Sequence, residues 1–158
     1  MEIGPREFLR AFLYSYVVTS AQLLGSKAPA LRRAVCRNAA RALLREHPEL
    51  EDLEPVEMVK AVAESLLGAS VSVDEDASGG VAVRIEGCRI CPRDLIEEFV
   101  RDHPELKDPI FGYNVCAFTT LIEEVFRALG EEVELKHEPV ERGRCRVIVK
   151  ASGNRADV

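Results

Sequence analysis

Strand-like stretches in this chain come in adjacent pairs, each closed by a short polar turn and each preceded by helical sequence, and that arrangement leaves few folds open. Val71 to Asp76 and Val81 to Glu86 alternate apolar and polar residues on either side of Ser78-Gly79-Gly80, the pattern of a half-buried hairpin. A second pair runs from Glu132 to His137 and from Cys145 to Ala151, joined by the loop Glu138 to Arg144. Hairpin-linked strands are antiparallel, because parallel neighbours need a crossover of about a dozen residues or more.

Helical periodicity fills the rest. Pro5 opens a first helix, with Leu9, Phe12, Leu13, Tyr16 and Val17 at helical spacing and Gly25 as its terminator. A second is expected from Pro29 to Glu46, stopped by His47-Pro48, and a third from Pro55 through Val59, Val62, Leu66 and Leu67 to Gly68. Between the hairpins the spacing predicts helices over Pro92 to His103 and over Asn114 to Leu129, with Asn114 as N-cap and Gly130 as stop. The order ααα-ββ-αα-ββ gives an α+β class: a four-stranded antiparallel sheet packed against helices, one domain over residues 1–151, with a frayed tail from Ser152 to Val158.

Composition narrows the function. Among the 158 residues, 47% are apolar and 30% charged, with a net charge of -6, so the chain can bury a core without disulfides and nucleic acid is a poor partner. The apolar run Ala11 to Leu24 carries Ser15, Thr19, Ser20 and Gln22 and is too short for a membrane span. With no secretory signal apparent, the five cysteines are expected in a reducing cytoplasm, where clustered thiols bind metal or do redox work.

Four of those cysteines stand at element edges: the Cys88-Arg89-Ile90-Cys91 knuckle, Cys116 and Cys145. Zinc takes four soft ligands, and a C-x-x-C turn supplies two of them, leaving Cys116 and Cys145 to complete a closed, structural site. Pairing Val133 with Val149 and Leu135 with Val147 would set His137 opposite Cys145, making it the next candidate ligand. Glu134, three residues earlier, falls on the other strand face and would ligate only through a bend or bulge. Cys116 is expected in the first turn of its helix, where the dipole would lower its thiol pKa. The competing readings are buried reduced thiols and a redox C-x-x-C pair. Cys36, between Val35 and Arg37, reads as core.

Other features read as structural. Arg33, Arg37, Arg41 and Arg45 form a basic stripe, expected to be a solvated face or else a dock for an acidic partner or a nucleic acid. Phe8, Phe12, Phe99, Phe118 and Phe126 fall at core-like positions. Arg45-Glu46-His47-Pro48-Glu49-Leu50 is echoed by Arg101-Asp102-His103-Pro104-Glu105-Leu106, and both read as helix stops. Nothing in the sequence has the spacing of a nucleophile-base pair, a phosphate loop or an H-E-x-x-H helix, which weighs against an enzyme.

Val115-Cys116-Ala117-Phe118 at a helix start, Glu134-Leu135-Lys136-His137, and Gly143-Arg144-Cys145-Arg146-Val147 together resemble the vinyl-4-reductase domain family of predicted hydrocarbon-binding proteins, over roughly the second half of the chain. The resemblance implies a zinc set of Cys116, Glu134, His137 in place of a cysteine, and Cys145, with the Cys88/Cys91 knuckle outside the family pattern. It also implies helices on an antiparallel sheet, a small apolar ligand, a sensory or regulatory role and a homodimer. A dimeric interaction scaffold like the subunits of a trafficking complex is the alternative, and a thiol redox or reductase enzyme the third reading.

Overall fold

The computed structural model describes residues 1–151, so the expected tail from Ser152 lies outside the described residues. Its six α-helices are α1 (Pro5–Leu24), α2 (Ala28–Glu46), α3 (Pro55–Val62), α4 (Arg93–Asp102), α5 (Lys107–Phe111) and α6 (Ala117–Ala128). The strands are β1 (Ser70–Glu75), β2 (Val81–Glu86), β3 (Val133–Glu141) and β4 (Arg144–Ala151). They form one antiparallel sheet in the order β1-β2-β4-β3, which places β3 at an edge. No helix among the described residues is long and apolar enough to cross a membrane.

Alternation along the strands directs Val83, Ile85, Leu135, Val147 and Val149 to one face of the sheet, where they pack against Met58, Val59 and Val62 of α3 and Phe118, Ile122, Val125 and Phe126 of α6. These side chains are almost fully buried, at roughly 1.5–3 kcal/mol each for a large apolar group. A second cluster, Val17, Ala21, Ala28, Ile96 and Ile110, joins α1, α2, α4 and α5. Phe118 and Phe126 hold the core places expected of them, whereas Phe8 and Phe12 stack on each other at 67% and 57% exposure on the outer face of α1. Helical spacing could not distinguish those two faces, since the inward face of α1 carries Leu9, Leu13 and Val17.

Three expected boundaries move. Beyond Val62 the third helix widens into a π-turn over Ala63–Leu67, with Ser65 Oγ donating back to the Ala61 carbonyl at 2.8 Å. The helix expected from Asn114 starts only at Ala117, with Cys116 as its N-cap, because Lys107–Phe111 forms a short helix of its own upstream. The last hairpin is longer and slipped by two residues from the expected register: Leu135 pairs Val149, His137 pairs Val147 and Pro139 pairs Cys145, with a bulge between Pro139 and Glu141. A slip of two preserves every side chain's face, so His137 and Cys145 still share one side while no longer being opposite. The echoed segments fold alike: His47 and His103 cap α2 and α4 at nearly the same backbone angles, each followed by a 3-10 turn and each beside the glutamate two residues on.

Candidate functional site

Cys88, Cys91, Cys116 and Cys145 line a single pocket with His137, in a cavity of about 50 Å³ walled by Leu13, Val17, Leu67, Ile90, Val115 and Phe118. Local structure explains the convergence. The knuckle leaves β2 through Gly87 and is drawn onto the β3–β4 turn by a hydrogen bond from the Cys88 amide to the Gly143 carbonyl at 3.0 Å. Gly143 sits at φ +71°, and a Cβ there would lie 3.2 Å from the Cys88 carbonyl oxygen, so the close approach depends on glycine. On the far side, Arg10 of α1 donates to the Cys91 carbonyl at 3.0 Å and grips Asp94 at 2.6 and 2.7 Å. Ile90, between the two cysteines, is buried in the main core.

The electrostatics run opposite to the dipole expectation. Burial pushes the Cys116 thiol up to about 12, outweighing the amides of Thr119 and Phe118 that pull it down. Burial also raises Cys145, with the proximity of Cys116, Cys88 and Cys91 adding to it, and burial is the main cause of the rise at Cys91. The apolar wall thus outweighs the partial charge at the α6 N-terminus. Reactive thiols require the reverse, a depressed pKa, which weighs against the redox reading of the knuckle. His137 is held down to about 4, chiefly by burial and secondarily by Arg93, so at neutral pH its imidazole is uncharged and keeps a free lone pair. Among the described residues no group of three or more His, Cys, Asp or Glu side chains is placed so that it could hold a metal ion.

The remaining candidates separate. Glu134 pairs with Lys150 and does not line the cysteine pocket; the bulge that might have turned it inward lies beyond it, after Pro139. Glu141, which sequence reasoning passed over, lines that pocket beside Arg144. Cys36 is buried and its thiol is raised to about 11 by burial, as a core residue would be.

A second and larger hollow of about 830 Å³ shares Arg93, Val115, His137 and Pro139 with the cysteine pocket. Its remaining lining includes Arg33, Lys107, Phe111, Tyr113, Glu123, Arg127, Glu134 and Lys136. Tyr113 donates to Glu123 at 2.6 Å and lies under the Arg33 guanidinium, 5.0 Å from its ring centre; burial first, then Glu123, lifts its phenol to about 12. The first two arginines of the basic stripe, themselves partly exposed, hold the buried Glu124 carboxylate, Arg33 at 3.2 Å and Arg37 at 3.1 Å.

No family model matches the chain, and no curated protein matches it. Among solved structures it is similar to an H-NOX protein from S. oneidensis, crystallised in the Fe(II)NO ligation state, with a TM-score of 0.52 and 12% identity over 89% of this chain and 74% of that one. At that identity the likeness is one of fold alone.

Proposed function

We propose that this protein is a small-molecule-binding domain of vinyl-4-reductase type with a sensory or regulatory role, in which a zinc ion held by cysteine ties the last hairpin to the starts of α4 and α6. The convergence of Cys88, Cys91, Cys116 and Cys145 on one cavity carries the reading. The lining offers donors of the type a soft ion takes, four sulfurs and a neutral imidazole, in a space too small for an organic ligand; since no three of them stand at binding geometry, loading requires those side chains to close in. Bound zinc would supply folding energy and keep the thiols deprotonated. The similar H-NOX protein was captured with Fe(II)NO ligation, which fits a fold able to carry a metal and a small ligand.

Metal analysis of protein purified without chelator tests the proposal. About one zinc per chain is expected, with a marked loss of zinc and of melting temperature in Cys145→Ser. A metal-free protein whose melting is unchanged by that substitution would reject it.

A homodimer through α1 and α2 is a second reading, favoured by the exposure of Phe8, Phe12, Leu23, Leu31 and Val35 on those helices. Sedimentation across a dilution series decides it: a single monomer species at all concentrations removes the dimer.

A further inference from the structure

We infer that the large hollow beside the cysteine pocket is the ligand site, and that it takes a small amphipathic anion, a carboxylate or phosphate carried on an apolar body. The inference deepens the ligand-binding half of the function proposed above and rests on that half alone, since it does not require the metal.

Size separates the two cavities. The cysteine pocket, at about 50 Å³, has room for an ion or a water or two, whereas the hollow, at about 830 Å³, falls within the ordinary range for organic ligands. Charge then selects the class. Five cations, Arg33, Arg93, Lys107, Arg127 and Lys136, line it against two carboxylates, Glu123 and Glu134. Ion pairs from outside the lining offset part of that set: Glu124 holds Arg33 and Arg127, Glu138 meets Lys136 and Glu97 meets Arg93. The donors left unpaired are what can draw in an anion.

Two of the cations, Lys107 and Arg93, keep donors free for it, and the buried carboxylate is already occupied. Glu123 is spent on the protein, accepting from the Tyr113 hydroxyl at 2.6 Å and from the Leu135 amide at 3.1 Å. Lys107 has no ion-pair partner among the described residues. Arg93 meets Glu97 through Nε alone, while its guanidinium lies 5.6 Å over the Phe111 ring, leaving the terminal nitrogens to face a ligand in the bidentate manner that suits carboxylate or phosphate. The apolar body has its own surface in Phe111, Val115, Val133, Leu135 and Pro139.

Calorimetric titration of the intact chain with octanoate, octanamide, phenyl phosphate and inorganic phosphate tests the class. Octanoate or phenyl phosphate should bind, whichever is tighter naming the headgroup, with octanamide and inorganic phosphate each weaker by about tenfold or more, because each lacks half of the recognition. Lys107→Glu/Lys136→Glu, at two exposed positions, should weaken the binding anion by about tenfold or more, with a change in melting limited to that of losing the exposed Lys136–Glu138 pair. Equal binding of octanoate and octanamide, or indifference to the charge reversals, overturns the anion inference and leaves a neutral-ligand site standing. No binding by any of the four to millimolar concentration overturns this inference together with the ligand-binding reading, and leaves the metal reading to its own test.

Discussion

Glu124 is 1% exposed and is held by three arginines that are not: Arg33, Arg37 and Arg127 are 37%, 47% and 51% exposed. That inequality predicts an asymmetric response to mutation. In Glu124→Gln the buried charge disappears and the guanidiniums, already half in water, rehydrate, so only charge-assisted hydrogen bonds are lost, at about 1–2 kcal/mol. In Arg33→Ala/Arg37→Ala the carboxylate stays buried with Arg127 alone, and the cost should approach about 3 kcal/mol, the lower end of the range for stripping a partner from a buried ion pair.

A double-mutant cycle by urea unfolding measures the difference. Placed in the Glu124→Gln background, the two arginine truncations should cost under about 1 kcal/mol, giving a coupling of about 2 kcal/mol. At this chain length each kcal/mol corresponds to about 2–4 °C in Tm, so differential scanning calorimetry gives an independent reading. Additive costs, or a Glu124→Gln variant less stable than the arginine double variant, would refute the claim that the carboxylate's burial sets the energetics.

Three further outcomes follow from the site. In chelator-treated protein, His137 is held near 4 in the folded state and near its usual value unfolded, so the unfolded chain binds the extra proton between those limits and stability should fall on acidification from about pH 6.5 to 4, with a slope of at most about 1.4 kcal/mol per pH unit; urea midpoints of His137→Gln should lack that component. Gly143→Ala must hold a side chain at φ +71° against the Cys88 carbonyl, costing about 1–2 kcal/mol, and it should speed the reaction of Cys88 with a thiol reagent; unchanged labelling would show that the turn does not position the knuckle. Phe8→Ser/Phe12→Ser should change monomer stability by under about 0.5 kcal/mol, far from the several kcal/mol of a core phenylalanine, and a large drop in Tm independent of protein concentration would return both rings to the core.

The α+β order and the antiparallel sheet were readable because the two periodicities alternate cleanly and the strands are hairpin-linked. The places where the reading slipped share a cause: the deciding force was tertiary. Asn114 looks like an N-cap by type, yet the chain spends Asn114 and Val115 on the cleft wall and begins α6 after Cys116. Pro139 and Val140 look like loop residues by type, yet β3 runs through Pro139 to a bulge at the edge of the sheet, where a missing N–H costs little, and this moves the pairing on β4 outward by two residues. Cys116 was expected to be acidified by its helix, and the apolar residues that close over it come from α1 and the knuckle, far away in sequence.

The same reasoning explains why the cysteine pocket could be named in advance and the cleft could not. Cysteine is scarce, so four of them at element edges are informative before any contact is known. Arg33, Lys107, Arg127 and Lys136 are each unexceptional where they stand, on a helix face, at a helix start, in a last turn and on an edge strand. Only the packing of α2 on α6, with β3 running alongside, gathers them around one hollow. A charge pattern of this kind has no signature at any fixed spacing. Its sequence trace is the pair Glu123-Glu124 on an otherwise apolar helix face, two acids that must be consumed internally because α6 buries both. Buried acids demand partners: Glu124 is met by Arg33 and Arg37 from α2 and by Arg127 from its own helix, and of these Arg33 and Arg127 line the cleft.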